Sequence, residues 1–145
     1  MRSSFLLAAA AAALISVAPT PAQAEEASSL TLTIAAVEPL SGNLQIALFK
    51  GGEAYEGGAP VAAHSVAANA ANVSATFEGL APGDYGVKLY HDVNGNGELD
   101  TNPFGIPIEP FAFSNDAQGR FGPAKWDAAA FAITPGENSH TITLQ

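Results

Sequence analysis

The chain has 145 residues, 14 acidic against 5 basic, three histidines and no cysteine. That is the length of one domain, too short for a TIM barrel or for a doubly wound enzyme with a second domain. The formal charge of −9 opposes nucleic acid and anionic lipid, and the missing thiols exclude disulfides, thiolate metal sites and a cysteine nucleophile.

The first 24 residues read as a signal peptide. Arg2 supplies a positive start, Phe5 to Val17 is an apolar, alanine-rich stretch, and Ala22-Gln23-Ala24 has the small-x-small form of a cleavage site. The apolar stretch is shorter than the ~20 residues that span a bilayer. Residues 25–29 are expected to be a short linker and residues 30–145 a single domain. The mature chain is thus expected to be exported, periplasmic or extracellular, and not inserted in the membrane.

Beyond the leader, strand signals dominate. Leu30, Leu32 and Ile34 alternate with threonines, the period-2 pattern of a half-buried strand. After a Ser41-Gly42-Asn43 turn, Leu44, Ile46 and Leu48 repeat it. Residues 51–72, rich in alanine and glycine, read as an edge strand at Val61–Val66 with a loose loop, or as a short helical turn at Val66–Ala71. Val73–Phe77 and Tyr85–His91 are further strands. In the latter, Tyr85, Val87, Leu89 and His91 share the apolar face, so His91 points toward the core at the strand end. Phe131–Thr134 and His140–Leu144 close the chain around a Pro135-Gly136 turn. Short strands, ten prolines and fourteen glycines predict an all-β fold: a single immunoglobulin-like or prealbumin-like β-sandwich of about seven strands. In Leu80-Ala81-Pro82-Gly83-Asp84-Tyr85, a proline-glycine turn lies between a leucine plug and a strand-starting tyrosine. This resembles the strand entry of prealbumin-like and carboxypeptidase-regulatory-like sandwich domains.

The next segment carries chemistry. Counting from Asp92, oxygen-bearing side chains fall at positions 1, 3, 5 and 9 (Asp92, Asn94, Asn96, Asp100), with Gly97 at position 6. Position 7, Glu98, is where a backbone carbonyl is offered. This is the loop half of an EF-hand calcium spacing, which wraps hard oxygens around Ca²⁺. Position 12, normally a bidentate glutamate, is Pro103, and a strand enters the loop, so the segment is no EF-hand. A metal site then needs a further carboxylate, and Glu109 is the nearest downstream candidate. The alternatives are a plain turn, since Asn94-Gly95 and Asn96-Gly97 are turn dipeptides, or a transition-metal site using His91.

Taken together, the chain resembles the exported bacterial proteins grouped as domain of unknown function 2141. The resemblance is carried by Gly42-Asn43-Leu44-Gln45-Ile46-Ala47-Leu48-Phe49, by Leu80–Tyr85, and above all by His91-Asp92 through Asp100. It continues through Asn102, Gly105-Ile106-Pro107 and Glu109 to Phe113-Ser114-Asn115. Where that family follows the glutamate with glycine, tyrosine and glycine, this chain has Pro110-Phe111-Ala112. The resemblance implies an exported β-sandwich and no established activity.

The aromatic run Phe104, Phe111, Phe113, Phe121 and Trp126 is expected to pin its long loop onto the domain, the alternative being a groove for a sugar or peptide. No nucleophile elbow, His-Glu-x-x-His or phosphate-cradling glycine loop is present, so no enzyme activity is expected. The leading expectation is a binding or accessory module with a calcium-organised loop and an unknown protein or glycan partner. Behind it stand a cation-independent interaction domain using residues 103–126, and a metal-dependent hydrolase built on Asp92, Asp100 and Glu109.

Overall fold

A computed structural model describes residues 27–145 of the chain; the expected signal peptide and the first residues of the linker lie outside the described residues. The fold is a two-sheet β-sandwich. One sheet has three strands in the order β4 (Val73–Leu80), β1 (Ser28–Ala35), β8 (Glu137–Thr143). The other orders β3 (Ala62–Ala67), β2 (Asn43–Lys50), β5 (Gly83–Asp92) and β6 (Phe111–Phe113), with β7 (Phe131–Ile133) also paired to β5. Two short helices lie beside it, α1 (Gly52–Gly57) and α2 (Trp126–Ala129). Among the described residues, no helix is long and apolar enough to cross a membrane.

The period-2 patterns place the core. Leu30, Leu32 and Ile34 of β1 and Leu44, Ile46 and Leu48 of β2 are all buried, and so are Val87, Leu89 and His91 of β5. Between β2 and β5 the register sets Leu48 opposite Val87, Ile46 opposite Leu89 and Leu44 opposite His91. Residues of like facing therefore meet across the ladder, and one-residue slippage would turn all of them outward. β1 runs parallel to β8, from Ser29 opposite Glu137 to Ala35 opposite Thr143.

The corner between β4 and β5 carries the chain from one sheet to the other. Leu80 and Tyr85 are both buried there, and the Tyr85 hydroxyl donates to the Ala81 carbonyl at 2.6 Å, locking the corner. The anticipated Pro82-Gly83 turn is thus a structural device.

Four details differ from the sequence reading. β1 begins at Ser28, so two residues assigned to the linker belong to the sandwich. The chain from Gly51 to Asn72 forms the edge strand β3 and not a helical turn at Val66–Ala71, but it opens with α1, whose buried Tyr55 anchors it. Among the described residues the strands number eight, because β6 is added; three residues between Pro110 and Ser114 are too short to show a period. Finally, β6 and β7 share one edge of β5, pairing with Lys88–Tyr90 and Gly83–Tyr85 respectively. Residues 114–130 leave the sheet between them. Ser114 repairs the gap: its buried hydroxyl accepts from the Val87 amide at 2.9 Å and donates to the Ala129 carbonyl at 2.5 Å.

A second apolar cluster sits outside the sandwich, on the outer face of the five-strand sheet. Phe49, Tyr55, Phe113, Ala124 and Ala129 form it, with Trp126 packed against them. Gly86 makes room for it: a Cβ there would lie 2.8 Å from the Tyr55 ring and 3.1 Å from Trp126.

Candidate functional site

β5 ends on two buried side chains that point opposite ways. His91 faces the core and its Nε2 donates to the Ser41 carbonyl at 2.7 Å, tying down the turn before β2. A carbonyl only accepts, so Nε2 carries a proton, while Nδ1 is buried without a hydrogen-bond partner. Asp92, on the outer side, is 1% exposed.

The Asp92 carboxylate organises the loop that follows. Its two oxygens accept the amides of Asn96 at 3.0 Å and Gly97 at 2.8 Å, and the Gln45 side chain donates from β2 at 3.4 Å. The Asn94 side-chain oxygen accepts the Asn96 amide at 3.1 Å, and that of Asn96 accepts the Glu98 amide at 2.9 Å. These are successive Asx-turns, and Gly95 and Gly97 supply the left-handed backbone they need, at φ 73° and 80°. The side-chain amides of Asn94 and Asn96 then converge on the Asp100 carboxylate, at 2.5 and 2.9 Å. Asp92, Asn94, Asn96 and Asp100 are thus brought into one loop, with the Tyr90 hydroxyl donating to the Gly97 carbonyl at 2.9 Å.

Glu109 closes the neck. It is buried, and its two oxygens accept the Val93 amide at 2.9 Å and the Asp100 amide at 3.0 Å, one at each end of the loop. Further along, Asn102 accepts the amides of Phe104 and Ile106, and Thr101 bridges to Pro107. The exit from the loop is therefore a compact turn, in line with Pro103 and Pro107. Among the described residues, no three His, Asp or Glu side chains are gathered closely enough to hold a metal by themselves. The set around the loop is two carboxylates and two amides, with the Glu98 side chain exposed to solvent.

Electrostatics follow from these bonds. Burial pushes the Asp92 pKa up, but hydrogen bonds from the Gly97 amide, the Gln45 side chain and the Asn96 and Gly95 amides outweigh it and hold the group below its ordinary value. A carboxyl with a depressed folded pKa stabilises the fold above its unfolded pKa of about 3.9, and the contribution is lost as pH falls through the folded value. In EDTA, the Tm gap between wild type and Asp92→Asn is therefore expected to hold steady near neutral pH and to narrow below about pH 4. An unchanged gap in acid would show that the carboxylate's charge contributes nothing.

The aromatic run divides. Phe111, Phe113 and Trp126 pack on the second cluster, as expected for residues that pin a loop. Phe104 is 87% exposed and Phe121 fully exposed, contrary to the expectation that the whole run would pack down.

Sequence reasoning overlooked four positions. Lys88 does not stand free on the polar face: its ammonium donates to the Tyr55 carbonyl at 2.5 Å and lies 4.4 Å from the Tyr55 ring centroid and 5.1 Å from that of Phe49. Asn115 and Asp116 staple the segment after β6 by bonding Ala128, Ala130 and Thr143. His140 accepts the Asn115 amide and stacks on Phe131, and burial lowers its pKa although Asp116 works the other way. Only the turn-forming character of Asn-Asp hinted at the staple.

Fold and site together define a β-sandwich with an Asx-turn loop clamped at one end. Residues 32–142 match a family described as an uncharacterized protein conserved in bacteria, DUF2141, and the chain belongs to that family. No curated protein and no solved structure matches the chain. The residues that carry the likeness have visible work in the fold: Asp92, Asn102, Glu109, Ser114 and Asn115 each hold two or more backbone groups.

Proposed function

We propose that the chain is an exported β-sandwich binding or accessory module whose Asp92–Asp100 loop takes one calcium ion. The observation that carries this reading is the gathering of the oxygen-bearing side chains of Asn94, Asn96 and Asp100 in one loop whose start is fixed by Asp92. The donor set is oxygen throughout: Asp92, Asn94, Asn96, the Glu98 carbonyl and Asp100. Hard oxygens in a flexible loop suit Ca²⁺ better than a transition metal or Mg²⁺. Glu109, engaged with amides at both loop ends, serves the site as a strut, and water completes the shell. The Asp92 and Glu109 carboxylates are committed to holding backbone amides, which favours a binding role over hydrolysis.

Two carboxylates and no bidentate glutamate predict weak affinity, nearer the ~10⁻⁴–10⁻³ M range of extracellular modules than that of cytosolic buffers. At about ten times Kd, binding adds about 1.4 kcal/mol to stability, worth several degrees in a domain of this size. Millimolar calcium is therefore expected to raise the Tm of the wild type, less that of Asp92→Asn and Asp100→Asn, and fully that of Asp127→Asn, an exposed control. No rise in the wild type, or equal rises in all four proteins, would remove the site and leave a self-bonded turn.

A second reading, a cation-independent module working through the aromatic segment 103–126, is favoured by the exposure of Phe104 and Phe121.

A further inference from the structure

The outer face of the five-strand sheet carries two rows of side chains that run on from the second apolar cluster. One row runs Ala63, Ala47, Lys88, Phe113 and the next Ser65, Gln45, Tyr90, Phe111. Above this floor is an open groove of about 1250 Å³, also lined by residues of the 99–107 loop and the 119–123 segment, Phe104 and Phe121 among them. The small side chains of Ala47 and Ala63 leave room there for a ligand body.

We propose that this groove binds an apolar small molecule carrying one carboxylate, with the carboxylate meeting Lys88 and the apolar body covered by Phe104 and Phe121. The proposal rests on reading the chain as a binding module and is independent of calcium in the loop.

Charge chooses the ligand. In a chain of net −9, the groove is lined by no aspartate or glutamate and by one ammonium, Lys88. Its three N–H donors include one engaged with the Tyr55 carbonyl, which leaves donors for a carboxylate. Burial lowers the Lys88 pKa, with Glu56 on α1 opposing the shift, so the cation is short of solvent and gains more from an anionic partner than a solvated lysine would. A cationic ligand meets no carboxylate here. A sugar would need a dense set of polar groups, whereas the floor offers Gln45, Ser65 and a Tyr90 hydroxyl already spent on Gly97.

The walls argue for an apolar body. Phe104, Ile106 and Phe121 are 87%, 59% and 111% exposed, and none contributes to either apolar cluster. Phe121 also holds a left-handed backbone, φ 57°, which costs a bulky residue energy that a glycine would save. Neither apolar cluster of the fold uses the exposed rings, and a ligand that covers them would recover that apolar area.

The test is calorimetric titration of the exported protein with dodecanoate, dodecanol and dodecyltrimethylammonium, each in EDTA and in millimolar calcium. Saturable one-to-one binding of dodecanoate is expected in both buffers, with the alcohol about tenfold weaker or more, as for loss of a charged hydrogen bond. The quaternary amine should not bind. Lys88→Met should weaken dodecanoate to the level of the alcohol, and Phe121→Asn, at a fully exposed site that tolerates the backbone, should weaken both ligands. No saturable binding, equal affinity for acid and alcohol, or unchanged affinity in both variants would overturn the proposal. So would a concentration-dependent dimer, abolished by Phe121→Asn, that takes no dodecanoate, since a second copy would then own the face. Dodecanoate binding without a calcium-dependent Tm would keep the groove and discard the calcium loop alone.

Discussion

Replacing Gly42 by alanine is expected to destabilise the sandwich and loosen the Asp92–Asp100 loop in one step. Gly42 lies in the turn before β2 with φ 69°, and a Cβ there would sit 2.0 Å from the Asp92 carbonyl and 2.8 Å from that of Val93. Both atoms are backbone at the root of the loop and cannot swing aside as a side chain would. The left-handed conformation costs an L-residue about 1–2 kcal/mol, and forced overpacking about 1–3 kcal/mol more. Gly51 separates the two causes, because its φ is 80° but nothing lies within 4 Å of a Cβ. Urea midpoints should therefore fall much further for Gly42→Ala than for Gly51→Ala. Gly42→Asn should do no better than alanine, although asparagine tolerates the backbone. Equal losses for Gly42→Ala and Gly51→Ala would show that the turn is free to move off β5, and that the loop is not founded on it.

Leu89→Ala is expected to be the most damaging change on β5. Leu89 is buried, faces Ile46 across the ladder, and stands opposite Ala112 on the other side. Large-to-small changes at such sites cost about 2–5 kcal/mol, the spread reflecting how far the cavity collapses. Its neighbour Lys88 points to the other face, where alternation alone predicts a negligible cost. Its stem and ammonium nevertheless cover Tyr55 and Phe49, so Lys88→Ala should cost about 1 kcal/mol, and Lys88→Met, which keeps the stem, less. Urea unfolding at unchanged m-value measures all three. Equal midpoints for Leu89→Ala and Lys88→Ala would mean that the facing of β5 is wrong.

The alternation of β5 illustrates why so much of the architecture was legible. A strand with one buried face must repeat apolar residues every second position, and Tyr85, Val87, Leu89 and His91 do so without interruption. Where a segment carried little large apolar content, the signal weakened with it. β3 is built from small and polar residues because it is an edge with half-exposed faces, and its reading stayed divided between an edge strand with a loose loop and a short helical turn. β6 escaped notice because a three-residue strand has no period, and α1 because glycines frame it and its one anchor, Tyr55, packs on a cluster outside the main core.

For the site, spacing alone gathered Asp92, Asn94, Asn96 and Asp100, since Asx-turns and glycines act over two to five residues and are written locally. Glu109 was reached as a nearby carboxylate, but its task was not readable: the two amides it accepts are 16 and 9 residues away along the chain. The partners of Lys88 likewise lie on other elements, β2 and α1, where no local pattern records them.

The sequence by itself determined the strand pattern, the facing of β5, the corner at Leu80–Tyr85 and the turn chemistry of the 92–100 loop, because each depends on residues adjacent or alternate in the chain. The tertiary structure decided the rest. It seated Gly42 against Asp92, split the edge of β5 between β6 and β7, and left Phe104 and Phe121 uncovered above a sheet face holding one lysine. Those outcomes depend on which distant backbones meet, and the free energy of such meetings is shared among partners that no local pattern records.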